Sequence, residues 1–216
     1  MNRRDFSRNL IGSGAGALAL TLAAPVWSQS GAPVEGKQYS RVEPPVATRD
    51  PGKVEVLEFF SFACPHCAAF EPVVEPWVKK LPADVVFRRV PVPFLMGADN
   101  FMHSYYSFVA LGLVDRMMPK VFAAIHVERK RLGSAEDMAG LVAKNGGDSA
   151  KFLEAMKSFS VATNVNRAKK LTSEYKIDGV PTIGVEGRYL TSPSQAGGLE
   201  QSLTVADFLI QKVRKG

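Results

Sequence analysis

The stretch whose reading decides the fold is KVEVLEFFSFACPHCAAFEPVVEPW, residues 53–77. Its first ten residues are β-branched and aromatic and almost continuously apolar, the pattern of a strand buried on both faces, with Glu58 as the interruption. The segment from 64 to about 81 reads as a helix. A second apolar run, DVVFRRVPV at 84–92, follows it. Strand, helix and strand joined by one crossover predict a parallel βαβ unit.

Upstream, residues 31–51 are rich in Pro, Gly and charge and predict an extended lead-in. The N-terminus has a different character. Arg3, Arg4 and Arg8 precede an apolar, uncharged run at 10–24, and small residues appear near Ser28 and Ser30. That run is short for a membrane span, which takes about 20 residues. The pattern is that of an export signal occupying 1–28, with an approximate cleavage point. Arg3-Arg4-Asp5-Phe6 resembles a twin-arginine signal, but Ser7 stands where that pattern prefers an apolar residue, so the export route stays open.

Downstream, spacing turns helical from 100 to about 175. Phe101, Tyr105, Phe108 and Val109 fit one face, as do Val121, Phe122 and Ile125, and then Met138, Leu141 and Val142. Ser134 is a good N-cap, Asn145-Gly146-Gly147 ends that helix, and Asp148 can cap the next. Strand signals return after Lys176, with a hairpin turn expected at Glu186-Gly187. A last helix is expected over about 204–215. The order βαβ, helical block, ββα predicts one α/β domain, with residues 29–99 and 176–216 as its two parts and 100–175 as a helical insertion.

The chain holds 216 residues, 46% of them hydrophobic, which suffices for a core without disulfide staples. Its formal net charge is +6. Losing the signal would remove three arginines and one aspartate and leave it basic. The excess is scattered as Arg88-Arg89, Arg129-Lys130-Arg131 and Lys169-Lys170, without interleaved aromatics, so no nucleic-acid partner is expected.

Both cysteines, Cys64 and Cys67, lie in one turn of backbone. As a staple the pair is poor: closing a loop of about four residues is worth about 2 kcal/mol, against about 4.7 for a 100-residue loop. A structural zinc site needs four ligands and a catalytic one three. The chain offers two Cys and three His, of which His66 lies inside the pair, so no metal is expected. A redox pair fits the local physics. Cys64 falls at the N-cap of the expected helix, and Pro65 at its first position, where a missing N–H costs nothing. Free N–H groups and the positive end of the helix dipole face the Cys64 sulfur, and His66 adds a donor or a charge. All favour the thiolate, whereas Cys67, nearly a turn inside, is expected to be more buried and less acidic. Stabilising the thiolate stabilises the reduced protein, so the disulfide becomes more oxidising, by about 30 mV per 1.4 kcal/mol.

Cys64-Pro65-His66-Cys67 after VLEFFSF, with GKQYSRVEPPVA upstream and GVPTIGVEGRY downstream, resembles the DsbA family of periplasmic thiol:disulfide oxidases, over essentially the whole chain beyond the signal. That family is itself a standard example of an acidic cysteine and a strongly oxidising disulfide. The resemblance implies a thioredoxin-like domain with a helical insertion. It implies Cys64 as the exposed nucleophile, Cys67 as its buried partner and His66 as the residue tuning Cys64. It places Val180-Pro181 in the loop facing the cysteines, with Pro181 cis and the Val180 backbone turned outward to pair with an extended substrate. Glu58 matches the family's buried acid, a proton acceptor near Cys67; Glu71 and Arg89 are expected to pair nearby. His103 and His126 read as helix-face residues without assigned chemistry. Phe94, Leu95 and Met96 fit either an apolar peptide groove or the core.

The expected activity is donation of the Cys64–Cys67 disulfide to reduced, unfolded exported proteins in the periplasm. The protein would act as a monomer without a cofactor, and a DsbB-type membrane protein would reoxidise it. A disulfide isomerase or reductase, and a non-catalytic peptide-binding chaperone on the same fold, remain alternatives.

Overall fold

The computed structural model describes residues 31–215, so the expected export signal at 1–28 lies outside the described residues. The lead-in is more than extended chain: it supplies a two-residue strand, β1 (Ser40–Arg41). Then follow β2 (Val54–Phe60), α1 (Pro65–Val78) and β3 (Val85–Pro91). Five helices come next: α2 (Ala98–Ala110), α3 (Val114–His126), α4 (Ala135–Lys144), α5 (Ser149–Met156) and α6 (Phe159–Glu174). The chain closes with β4 (Thr182–Val185), β5 (Tyr189–Thr191), the short α7 (Pro193–Ala196) and α8 (Leu199–Arg214).

The sheet runs β1-β5-β4-β2-β3. β2 and β3 pair in parallel, as the single crossover through α1 requires, and β2 pairs antiparallel with β4 on its other side. All seven residues of β2 are buried. Its alternate side chains enter different layers. Val54 and Val56 pack with Phe70 and Val74 of α1 and Leu209 of α8. Leu57 and Phe59 pack with Met102, Val161, Ala168 and Tyr175 from α2, α6 and the residues just after α6. This two-sided burial is why the strand reads as one apolar run rather than an alternation. Phe60 and Phe62 continue into a third cluster with Phe101, Phe108, Phe122 and Met138 of the helical block. Residues from Ala32 onward make one compact unit.

Local signals act where expected. Ser134 and Asp137 form a reciprocal capping box, and Asp148 accepts from the Lys151 N–H at 3.0 Å. Glu186 and Gly187 make the β4–β5 turn with φ of 52° and 62°, which permits two-residue hairpin closure. Two boundaries differ from expectation. α1 ends at Val78, short of 81, although it runs through Pro72 and Pro76. α8 starts at Leu199, five residues early: Gly198 serves as its N-cap and Ser202 satisfies the Leu199 carbonyl through a 2.6 Å hydrogen bond.

Candidate active site

β2 ends at Phe60, and three residues, Ser61-Phe62-Ala63, deliver the chain to the first turn of α1. Cys64 is the N-cap, in extended conformation, and Pro65 is the first helical residue. Cys67 stands one turn in and is almost wholly buried. Both are free thiols. Pro65 and His66 are exposed beside them.

Cys64 was expected to be exposed, yet its residue is only 7% accessible, against 1% for Cys67. The cover comes from across the fold. The Val180-Pro181 peptide is cis, and the loop lies over the helix start, so that the Cys64 thiol donates to the Val180 carbonyl at 3.4 Å. The expected outward turn of the Val180 backbone is therefore half realised. Its carbonyl faces the cysteine, while its N–H makes no hydrogen bond among the described residues. Pro181 itself is buried.

The Cys64 thiol is held down to about 6. The largest cause is the Cys67 thiol, which hydrogen-bonds to the Cys64 sulfur; burial works in the opposite direction. The backbone N–H groups of Cys67 and His66 and the charge of His66 add to the lowering. As a thiol Cys64 closes no full cap hydrogen bond. The open N–H groups of the first turn therefore favour its anion. Cys67 moves the other way: its interaction with Cys64 and its burial both push it up. The two sulfurs thus divide into an acidic one under the Val180-Pro181 loop and a protonated one deeper in the core.

Below them lies a buried ion cluster. Glu58, 2% exposed, belongs to the face of β2 that looks toward α1. Arg89 of β3 donates to Glu58 at 2.9 Å, to Glu71 at 3.1 Å and to Glu75 at 3.3 Å. Burial raises Glu58 above the usual carboxylate range, and raises Glu71 to about 7 in spite of Arg89. The charge of Glu58 contributes to the upward shift of Cys67. Three carboxylates share one guanidinium, and at least one of them is poised to exchange a proton near neutrality.

The expected pairing of Glu71 with Arg89 is present, but Arg89 as the hub, with Glu75 as a third acid, had not been anticipated. The spacing of Glu71 and Glu75, four residues apart and so on one helix face, was the available signal. His103 is on a helix face as expected, with Nδ1 near the Asp99 carbonyl. His126 is the last residue of α3, and its Nε2 lies 2.8 Å from the carbonyl of Phe62, a contact that was not anticipated. A groove of about 520 Å³ between α1 and α3 runs past Ala68, Phe122 and His126. Phe94 and Met96 are exposed, whereas Leu95 packs on the core. Among the described residues no cluster of His, Cys, Asp and Glu could hold a metal, and no helix is long and apolar enough to cross a membrane.

Residues 55–203 match the model of the DSBA-like thioredoxin domain family. The chain is 45% identical, over the full length of both proteins, to the thiol:disulfide interchange protein DsbA of Bordetella parapertussis. It is 42% identical to the protein of the same name from Pseudomonas aeruginosa, over 83% of this chain and 85% of that one. The crystal structure of Pseudomonas aeruginosa DsbA superposes with a TM-score of 0.82 at 41% identity, covering 84% of this chain and 95% of the other.

Proposed function

Because the chain belongs to the DSBA-like thioredoxin domain family and is a thiol:disulfide oxidoreductase, we propose that it donates a Cys64–Cys67 disulfide to reduced, unfolded exported proteins in the periplasm. The observation that carries this reading is the asymmetry of the pair: Cys64 held to about 6 at the start of α1, with Cys67 buried and pushed up.

A substrate thiolate attacks Cys64 Sγ of the oxidised pair. The Cys64–Cys67 bond breaks, its electrons go to the Cys67 sulfur, and that sulfur takes up a proton. Its raised affinity for the proton drives this uptake. Glu58, ion-paired to Arg89 beneath the site, mediates the exchange. A mixed disulfide now joins the substrate to Cys64. A second substrate thiolate attacks the substrate sulfur of that bond and expels Cys64 as a thiolate, a good leaving group because it is acidic. The substrate has lost two electrons, and the protein is left reduced, with Cys64 as a thiolate and Cys67 as a thiol. A DsbB-type membrane partner takes those electrons and restores the disulfide.

His66 lends its N–H and its charge to the Cys64 anion, and Pro65 sets the first turn without spending a donor. The unpaired Val180 N–H, beside the buried Pro181, offers an extended substrate segment one rung of strand-like pairing over the cysteines. The protein works as a monomer, and its chemistry needs no cofactor beyond the cysteine pair. Replacing Cys64 by Ser tests the reading: oxidation of a reduced test protein is expected to vanish, and unchanged activity would overturn it.

A further inference from the structure

The loop that presents Cys64 is a single tight turn. The Cys64 N–H donates to the Ser61 carbonyl at 3.1 Å, closing a four-residue turn whose central peptide joins Phe62 to Ala63. Such a central peptide is the soft point of a turn, because it can rotate with little movement of the flanking residues; the two commonest turn types differ by that rotation. Here both of its ends are held. On one side the Ala63 N–H donates to the Ser61 hydroxyl at 3.2 Å. On the other the Phe62 carbonyl meets His126 Nε2 at 2.8 Å. Phe62 is buried, so its carbonyl left without the His126 donor would be cut off from water as well.

His126 reaches this carbonyl from the last residue of α3, 64 positions along the chain. A carbonyl only accepts, so Nε2 carries the proton. Both the neutral Nε2–H tautomer and the imidazolium present that donor, so the contact persists in either form of the ring. Packing fixes the ring's position. It lies 6.1 Å from the Phe122 ring, and Phe122 packs on Phe62 at 5.2 Å. The helical block thus grips the redox loop twice, by an aromatic contact to the Phe62 side chain and by a hydrogen bond to its backbone.

We propose that His126 is a positioning residue for disulfide exchange: with the Ser61 hydroxyl it locks the Phe62–Ala63 peptide, and so holds Cys64 in the N-cap geometry that aims the first-turn N–H groups at its sulfur. The inference rests on Cys64 being the reacting sulfur. Cys64 has φ −87° and ψ 118°, and the His66 and Cys67 N–H groups that favour its anion act through that orientation. The same loop also brings the Ser61 backbone N–H to the Cys67 sulfur. Release of the central peptide therefore loosens both sulfurs, without removing any group that touches substrate.

The test is the ultraviolet titration of the Cys64 thiolate in three variants of the full chain, His126→Leu, His126→Gln and Ser61→Ala, with the equilibrium against glutathione measured alongside. His126→Leu is expected to raise the Cys64 titration by about half a unit or more and to move the glutathione equilibrium about two- to threefold toward the oxidised protein. His126→Gln keeps an N–H donor of similar reach and is expected to restore both values. Ser61→Ala frees the other end of the peptide and is expected to shift them in the same direction as His126→Leu. A folded His126→Leu protein that titrates like the parent overturns the proposal, as does a His126→Gln protein no better than His126→Leu. Where His126→Leu does not fold, an unmoved Cys64 in Ser61→Ala overturns it. A parent Cys64 that titrates as an ordinary thiol would instead remove the functional reading itself; an acidic parent with unmoved variants removes this inference alone.

Discussion

Cys64 loses its proton at about 6 in the folded protein, against 9.0 for an unperturbed thiol. A folded-state value below the unfolded one adds stability that is complete above pH 9 and disappears as the pH falls through 6. The oxidised protein has no thiol at this position and lacks the contribution. Cys67, shifted upward, alters stability only above pH 9, and the buried carboxylates are present in both redox forms. The difference in Tm between reduced and oxidised protein is therefore expected to be largest at pH 9, to shrink continuously down to pH 6 and to level off below it. Thermal melts of both forms across that range check this, and a difference independent of pH would contradict it. The same thermodynamics makes the disulfide a strong donor, since whatever stabilises the reduced thiolate drives the bond's reduction.

At the scale of elements, β2, β3 and α1 each contribute charge to the cluster under the site. Arg89 is the sole cation bonded to Glu58 and Glu71 among the described residues. Removing it would leave buried carboxylates unpaired, a class of change that costs about 3–5 kcal/mol. Carboxylates can escape part of that cost by taking up protons. Their folded-state values already lie above the unfolded ones, with Glu71 at about 7, so their stabilising protonation is complete at low pH and lost as pH rises through that value. Arg89→Met is accordingly expected to cost several kcal/mol at pH 8 and clearly less at pH 5. Urea unfolding at the two pH values measures it, and an equal loss at both would show that the cluster is not buried as an ionised set.

For the whole molecule, the helical block and the sheet share one aromatic seam. Phe60 of β2 meets Tyr105 and Phe122 with centroids 5.1 and 6.5 Å apart, and Phe62 meets Phe101, Phe108 and Phe122. A seam of this kind couples the unfolding of the two parts. Phe108 is fully buried in the block and stacks on Phe152 at 5.4 Å. Phe108→Ala is expected to cost about 3–5 kcal/mol. The loss should appear undiminished in the fluorescence of Trp77, which sits near the end of α1 and packs on Phe87 of β3, followed in a Trp27→Phe background. A Trp77 transition that stays in place while helical circular dichroism moves would mean that the block unfolds alone.

How much of this was legible beforehand depends on the reach of each rule. The βαβ unit, Cys64 as N-cap with Pro65 behind it, the capping box at Ser134 and the Glu186-Gly187 turn are dictated within a few residues of chain, by side-chain period, missing donors and allowed φ. The resemblance carried Val180-Pro181 to the site and Glu58 to the interior. Strand β1 was missed because two residues carry no period, and the start of α8 because Gly198 is a weak cap signal. Only the tertiary structure decided that the Val180 carbonyl covers Cys64, that Arg89 binds three acids at once, and that His126 ends on the Phe62 carbonyl. Sequence spacing states which side chains share a face of one element. Which faces meet, and at what distance, follows from the packing of the β2 strand between helices drawn from both ends of the chain.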